Sequence, residues 1–522
     1  MKTTIWNTLV HSVGLFGNRP IFWTSPNSYI KYNQFYDKIT SFSQLLEMIN
    51  IQKGDKVMLT GPNSINWAAV NYAILSKGGV VVPTFANQSD NILDHMLKTT
   101  NAKLLFNSSG KKIGNNIMEF NHENILDTTN ITPSENFKHV NIDPSSTAYI
   151  LFTSGTSGLP KGVPLTHTNI LSNIEATKTV FKNNFSEHDK YVSFLPWNHC
   201  YGLNCELNYM MSTGASTYIN TNIKNVMSDI QQHNPTGLCT VPKFLHQVRN
   251  KINKIEQLPT FMKPYVNPYI KRRVFGKNIK FCTVGGSHIS KDDILFYKNL
   301  GLDIYQGYGT TECSPMISLN GPNGNKIGSV GKILHCNNIQ IQHNDEYNEL
   351  IDENMYNTHI GNILVSGSNV MKDGYLHNAK ESIVYTGLGM RYNTGDIGYI
   401  KDDYLYIVGR NKDQYKLSNG KFINPTDIEN ELLKISEIDQ VLVYPSKNGK
   451  YNKAIIVSSH SYETIQHKIN NMNNELKKYE IPQEMIVTDE QFTTDNNMLT
   501  QKQSMIRSRI IKKYDKCYYD ME

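Results

Sequence analysis

Short apolar runs alternate along this chain with longer segments of helical period, and that alternation constrains the fold more than any other feature. Lys56-Val57-Met58-Leu59, Val80-Val81-Val82, Leu104-Leu105-Phe106 and Ala148-Tyr149-Ile150-Leu151-Phe152 each fit a buried strand bounded by turn residues. Asn66 to Ser76 carries apolar residues at helical spacing between two of them. Strand, helix and strand in succession favour an α/β domain with mostly parallel strands. Further on, Ile363-Leu364-Val365 and Tyr404-Leu405-Tyr406-Ile407-Val408 are expected to be shorter strands joined by glycine turns. The last hundred or so residues form their own group. They have strands at Val441-Leu442-Val443-Tyr444 and Ala454-Ile455-Ile456-Val457, and a polar helix from about Tyr462 to Lys478. A boundary is expected near Arg410, where Gly409-Arg410-Asn411-Lys412-Asp413 has no apolar pattern, giving domains over 1–409 and 410–522.

Composition narrows the function class. At 522 residues the chain can bury several cores without a disulfide or metal staple. A hydrophobic share of 39% against 19% charged argues against a disordered or coiled-coil chain. The net charge of +6 is a mild excess, and the basic residues occur in short groups such as Lys271-Arg272-Arg273. A nucleic-acid binder would gather them into a stripe, so no nucleic-acid partner is expected and the triplet reads as solvated surface. Seven scattered cysteines with no Cys-x-x-Cys indicate a reducing compartment, with no zinc site. No run approaches the roughly 18–20 apolar residues of a membrane span, and neither end carries an address signal, so a cytoplasmic location is expected.

Three segments carry chemistry. Phe152-Thr153-Ser154-Gly155-Thr156-Ser157-Gly158-Leu159-Pro160-Lys161-Gly162 follows a strand. Its glycines let backbone amides approach an anion, its hydroxyls add donors, and Lys161 adds a point charge. It is no Walker loop, since no Ser or Thr follows the Lys; the alternatives are a polyphosphate cradle or a flexible turn. Tyr305-Gln306-Gly307-Tyr308-Gly309-Thr310-Thr311-Glu312 repeats the strand–loop pattern. Gly307 and Gly309 let the chain pass beside a flat ring on which Tyr308 could stack, and Glu312 is either a hard oxygen ligand of the kind Mg²⁺ takes or a surface carboxylate. In Tyr392-Asn393-Thr394-Gly395-Asp396-Ile397-Gly398, Asp396 suits a vicinal diol such as ribose, or simply makes a turn.

These residues resemble the adenylate-forming (AMP-binding) enzymes, which comprise acyl-CoA synthetases, adenylation domains and beetle luciferase. Thr153 to Gly162 is similar to the family's phosphate loop, Tyr308 to Glu312 to its Tyr-Gly-x-Thr-Glu motif, and Thr394-Gly395-Asp396 to its ribose-binding segment. The likeness extends along nearly the whole chain. Gly54-Asp55-Lys56-Val57, Pro62-Asn63-Ser64 and Lys77 to Pro83 fit its N-terminal signature. Leu195 to Gly202 resembles the acyl-pocket segment with His199, and Gly285-Gly286-Ser287 the adenine-side turn. Gly328-Ser329-Val330-Gly331 and Gly367 to Tyr375 resemble the stretch before the ribose site, and Gly409-Arg410 with Lys416 to Glu429 the hinge region. Lys416-Leu417-Ser418-Asn419-Gly420-Lys421 and Leu499-Thr500 are most like medium- or long-chain fatty acyl-CoA synthetases.

The resemblance implies an α/β fold. It consists of a large N-terminal domain of mixed, mostly parallel sheets with helices plus a β-barrel-like subdomain, and a small mobile α+β C-terminal domain. It implies that a carboxylic acid, most like a fatty acid, attacks the α-phosphate of ATP with Mg²⁺, and that the acyl group then passes to the thiol of CoA. Acyl-AMP ligation onto a carrier protein, or binding without catalysis, are the alternatives. The roles implied are cofactor binding by Thr153, Ser154, Gly155, Thr156, Ser157, Gly158, Lys161, Gly286, Ser287, Gly307, Tyr308, Gly309, Thr311, Asp396 and Arg410. Lys161, Thr311, Glu312 and Lys502 are implied as catalytic, Glu312 as the metal ligand, His199 and Gly309 as pocket residues and Lys412 as hinge. Two anions at contact near a protein surface repel by about 4 kcal/mol, so cations must screen their meeting. The sequence departs from the family where its C-terminal Lys, three residues before an Arg, is expected: Ser504 stands three before Arg507, and Lys502 lies two residues earlier. A second departure is Gly361-Asn362, where the family has Gly-Glu.

Overall fold

A computed structural model describes residues 3–85, 88–108, 118–126, 140–153, 159–182, 184–252, 259, 261–343, 359–378, 382–472, 476–493, 496–499 and 505–518. They divide into two compact units, Met1–Ile339 with Val365–Tyr392, and Gln340–Leu364 with Asn393–Glu522.

The first unit contains two sheets. One has six strands in the order Met118–Phe120, Leu104–Asn107, Lys56–Thr60, Val80–Thr84, Thr147–Thr153 and Lys161–Thr166. All are parallel except the last, which folds back on Thr147–Thr153 as a hairpin. The four strands expected from the apolar runs are therefore all present, as the alternation of elements requires. Helix Ile65–Ser76 follows Lys56–Thr60 and is buried from Trp67 to Ser76. Its start is set by Ser64, whose hydroxyl accepts from Trp67 N at 3.0 Å and so satisfies one of the orphan amides of the first turn. Met58, Val80, Val82, Leu105 and Ile150 from the strands meet Leu93 and Met96 of helix Asp90–Thr100 in one core.

The other sheet runs Ser28–Lys31, Pro20–Ser25, Ser216–Ile219, Lys190–Ser193, Gly237–Thr240, Phe281–Val284, Asp303–Gly309 and Met316–Leu319. The six strands from Pro20–Ser25 to Asp303–Gly309 are parallel, Ser28–Lys31 and Met316–Leu319 flank them antiparallel, and Lys332–Ile333 pairs with Met316–Leu319 beyond. The period-two alternation of side chains splits this sheet into two chemically different faces. Val192, Leu238, Cys282 and Ile304 point to one side. They form a core with Ile230, Leu245, Phe275, Ile294 and Tyr297 from the helices that cover it. Tyr191, Cys239, Phe281 and Thr283 point to the other side, toward helix His167–Val180.

In the second unit, Asn452–Val457 lies between Gln440–Pro445, antiparallel, and Glu484–Thr488, parallel. Alternation again divides the faces: Val441, Val443, Ala454 and Ile456 pack with Ile428, Leu432 and Ile465, while Leu442, Tyr444, Ile455 and Val457 pack with Phe492, Leu499 and Ile510. Helix Tyr462–Asn470 is shorter than the Tyr462–Lys478 expected from the sequence. It stops where Asn471 N turns back to the carbonyls of His467, Lys468 and Ile469 in an Asn-rich stretch, and Asn favours leaving the helix. Among the described residues the strands form open sheets and no closed barrel.

Candidate functional site

Thr153 and Lys161 are paired across the hairpin, so the strand register fixes both ends of the Gly/Ser/Thr-rich loop. Ser154, Gly155, Thr156, Ser157 and Gly158 lie outside the described residues. The base of the loop is tied to a distant segment by Leu376 N, which donates to Gly162 O at 2.9 Å. A side chain at Gly162 would collide with Leu376, so the absence of a Cβ permits this approach. The consequence is that Tyr375 lies beside Lys161, whose ammonium is 5.5 Å from the phenol ring centroid, within cation–π range.

Glu312 meets the hydroxyl of the same tyrosine. Strand Asp303–Gly309 ends at Gly309, where a Cβ would stand 1.9 Å from Pro315 O, so the chain can close its turn there only with glycine. The turn Thr311–Cys313 follows, with Thr311 and Glu312 both buried. Tyr375 Oη donates to Glu312 Oε1 at 2.7 Å. Burial, with the Glu312 carboxylate adding to it, raises the Tyr375 phenol, so the ring keeps its proton and remains a donor.

A set of buried asparagines holds this turn by its backbone. Asn369 Nδ2 donates to Cys313 O at 2.7 Å and to Met316 O at 3.1 Å. Asn204 Nδ2 donates to Ser314 O at 2.6 Å, and Asn173 Nδ2 to Met316 O at 2.7 Å. Asn169 closes the capping box of helix His167–Val180 through its Oδ1 while its Nδ2 donates to Ser368 O and Val370 O. Sequence reasoning missed all four and Tyr375. The Gly367 to Tyr375 stretch pointed to the region, but nothing in it showed which side chain meets Glu312.

A partly open apolar cavity adjoins these strands. Its lining draws on Thr283 and Val284, just before the Gly285-Gly286-Ser287 turn, and on Met316 and Leu319, which pair with Asp303–Gly309. Phe185 plugs one wall, its ring centroid 4.8 Å from Phe181, 5.0 Å from Phe281 and 5.4 Å from Tyr209. Cys239 and Cys205 also line it. Burial pushes the Cys239 thiol up to about 12, with the Glu206 carboxyl adding to it, so the wall is uncharged. Tyr201 contributes its ring and bonds Thr283 Oγ1 at 3.2 Å. His199, two residues earlier, is half-buried and accepts from Tyr201 N through Nδ1, which places the proton of a neutral ring on Nε2. Gly286 has a φ of +89° and, with Ser287, is exposed beside the cavity-lining strand.

In the second unit, Asp396 is buried and its Oδ1 takes Arg410 Nε at 3.1 Å, the two being directly paired across their strands. Gly395, at a φ of +73°, makes the bend before it, and Asp396 N donates to Thr394 Oγ1. Lys412 is exposed in the turn after strand Tyr404–Arg410. Lys502 and Ser504 lie outside the described residues; Leu499 and Met505 on either side of them form a bridge. The Arg507 used to count that register is an anchor, bonded to both oxygens of Glu429 at 2.8 and 2.7 Å and to Val443 O.

The AMP-binding enzyme family matches residues 10–376, and the AMP-binding enzyme C-terminal domain matches residues 412–518. The chain belongs to the AMP-binding enzyme family. Human long-chain-fatty-acid–CoA ligase 1 is 25% identical over 87% of this chain and 74% of its own length. MatB from Rhodopseudomonas palustris, solved with ATP bound, superposes with a TM-score of 0.79 at 21% identity, covering 99% of this chain and 100% of that one. The o-succinylbenzoate CoA synthetase of Bacillus subtilis, solved with its acyl-adenylate intermediate, gives 0.78 at 21% identity over 97% and 98%. The fold is thus that of adenylate-forming enzymes. No helix of the described residues is long and apolar enough to cross a membrane.

Proposed function

We propose that the protein activates a fatty acid with ATP to an acyl-adenylate and transfers the acyl group to the thiol of CoA, releasing pyrophosphate and then AMP. The observation that carries this reading is the apolar, uncharged cavity, lined by the strand that leads into the Gly286 turn and by the strand that follows the Tyr308–Glu312 motif. A hydrocarbon tail would gain about 25 cal/mol for each Å² it buries there.

The donor set fits Mg²⁺. That ion takes one or two carboxylates and fills its remaining positions with phosphate oxygens and water, and Glu312 offers a buried carboxylate with one oxygen pinned by Tyr375. Bound there, Mg²⁺ would neutralise charge on the nucleotide's phosphates. Lys161, aimed by its strand and the Tyr375 ring, would meet an anionic oxygen of the same group, and Thr311 would donate to the α-phosphate. Thr153, Ser154, Gly155, Thr156, Ser157 and Gly158 would cradle the phosphates, and Ser287, Gly307, Tyr308 and Gly309 would border the adenine. Asp396, steadied by Arg410, would accept hydrogen bonds from the ribose hydroxyls. His199 and Gly309 would meet the acid's carboxyl end, Lys412 would serve as the hinge before a C-terminal domain of residues 410–522, and Lys502 would supply the cation for adenylation. These roles are alignment and charge stabilisation, which is how such a displacement is accelerated.

The test is to incubate the protein with ATP, Mg²⁺ and a panel of straight-chain and aromatic acids, with and without CoA, and to follow pyrophosphate and thioester by mass spectrometry. CoA thioester from straight-chain acids is expected. Pyrophosphate without any thioester would move the acceptor to a carrier protein, and failure on every straight-chain acid would remove the fatty-acid reading.

A further inference from the structure

Helix Lys263–Phe275 covers the sheet face opposite the cavity, and its outer side is unusual for a surface helix. Val274 and Phe275 are buried against the sheet, and Asn267 Nδ2 fastens its inner edge to Asn299 O at 2.7 Å. Outward, Phe261, Tyr265 and Tyr269 are 75%, 83% and 68% exposed, with Met262 and the two prolines Pro264 and Pro268 beside them. Tyr265 and Tyr269, four apart, share one face of the helix, and Phe261 is exposed in the turn just before its start. Single exposed aromatics are ordinary, but three exposed rings this close along the chain are of the sort that marks a docking site.

The charges around these rings name the partner. The helix contains Lys263, Lys271, Arg272 and Arg273 and no acidic residue. Lys271 is committed to Gly301 O at 2.8 Å, whereas Arg272 and Arg273 are exposed at the end of the helix, with Lys277 just beyond. The helix packed against it, Val226–His233, has one acid, Asp229, which accepts from Asn220 Nδ2 at 2.7 Å, and helix Pro242–Ile252 on the same face of the sheet has Lys243, Arg249 and Lys251 and no Asp or Glu. Asp293, beside it, is already bonded by Arg249 and His246. Tyrosines with an apolar ring and a polar tip, next to arginines, suit the depth of lipid headgroups.

We propose that the face bearing Phe261, Tyr265, Tyr269, Arg272 and Arg273 docks the protein on an anionic lipid bilayer, with helix Lys263–Phe275 lying in the plane of the interface. The basic triplet that sequence reading left as solvated surface thereby acquires a partner. The docking surface is independent of which acid the enzyme activates.

Flotation of the full-length protein with phosphatidylcholine vesicles, with and without phosphatidylglycerol, at low and high salt, tests this. Binding is expected only with phosphatidylglycerol and is expected to weaken with salt. Arg272→Glu with Arg273→Glu, and separately Tyr265→Ser with Tyr269→Ser, should each reduce binding at least about tenfold. Circular dichroism and pyrophosphate release with a water-soluble acid should stay unchanged in both. No binding of the wild type to anionic vesicles overturns the proposal. Equal binding to both vesicle types, or binding undiminished in either variant, also overturns it.

Discussion

Tyr375 and Glu312, 63 positions apart in sequence, share a 2.7 Å hydrogen bond in which the phenol donates to the carboxylate, while the ring's face lies 5.5 Å from the Lys161 ammonium. One side chain thus spaces the two charged groups proposed to act on a nucleotide's phosphates, Glu312 through Mg²⁺. Hydrogen bonds to charged groups contribute about 1.5–3 kcal/mol, and a free carboxylate at this turn could rotate away from its ligand. Tyr375→Phe keeps the ring beside Lys161 and removes only the donor. It is expected to raise the Mg²⁺ concentration needed for half-maximal ATP–pyrophosphate exchange by about tenfold, with the melting temperature little changed. An unaltered Mg²⁺ dependence would show that Tyr375 does not position Glu312.

The bidentate pair of Arg507 with Glu429 predicts a different kind of loss. Glu429 is buried at the start of the C-terminal α+β core, and its Oε1 also accepts Val443 N at 2.8 Å. Burial raises this carboxyl even against the opposing effect of Arg507, so removing the guanidinium leaves a poorly solvated group without its partner. Arg507→Met is expected to destabilise this unit by about 3–5 kcal/mol. The double variant Arg507→Met with Glu429→Met should recover most of that. Urea unfolding of the three proteins decides it, and a single variant as stable as wild type would mean that the pair contributes little.

How much of this was legible in the chain depends on the range of the interaction. The strands at Val57, Val81, Leu105 and Ile150 were readable because burial on both faces demands unbroken apolar runs, a local signal. Gly309 and Gly395 were readable as turn positions because a close backbone approach and a positive φ are set by neighbours a few residues away. Tyr375, Asn369 and Asn204 were not, since each acts on a backbone or carboxylate 50 or more positions distant, as the pairs Tyr375–Glu312, Asn369–Cys313 and Asn204–Ser314 show. The cavity was invisible for the same reason, because its walls come from segments that only the sheet order brings side by side.

Phe185 lines that cavity. Its ring touches Phe181, Tyr191, Tyr209 and Phe281, so it closes the wall where four segments meet. Phe185→Ala should extend the space and move the preferred straight-chain acid to longer members, read as the ratio of kcat/KM across a chain-length series. Truncating a buried Phe costs about 3–5 kcal/mol, so a lower melting temperature should accompany the shift. Loss of stability with an unchanged chain-length ratio would place the acyl tail elsewhere.

Glu206 makes stability depend on pH in a direction opposite to most carboxylates. It lies fully buried in the π-helical turn Gly202–Asn208, accepting from the Ser193 hydroxyl, which in turn accepts Trp197 Nε1 at 3.0 Å. Burial lifts its carboxyl from 4.5 to about 8, although hydrogen bonds from Ser193, Leu195 and Phe194 work the other way. The folded protein therefore holds a proton that the unfolded chain has released once the pH exceeds 4.5. Its contribution to stability is complete below that pH, falls as the pH rises to about 8, and is flat above. Glu206→Gln keeps an acceptor for Ser193 and cannot ionise, so its stability should decline less over that interval and exceed the wild type's above it. Chemical denaturation at a series of pH values measures this directly, and parallel profiles for the two proteins would show that Glu206 is ionised in the fold.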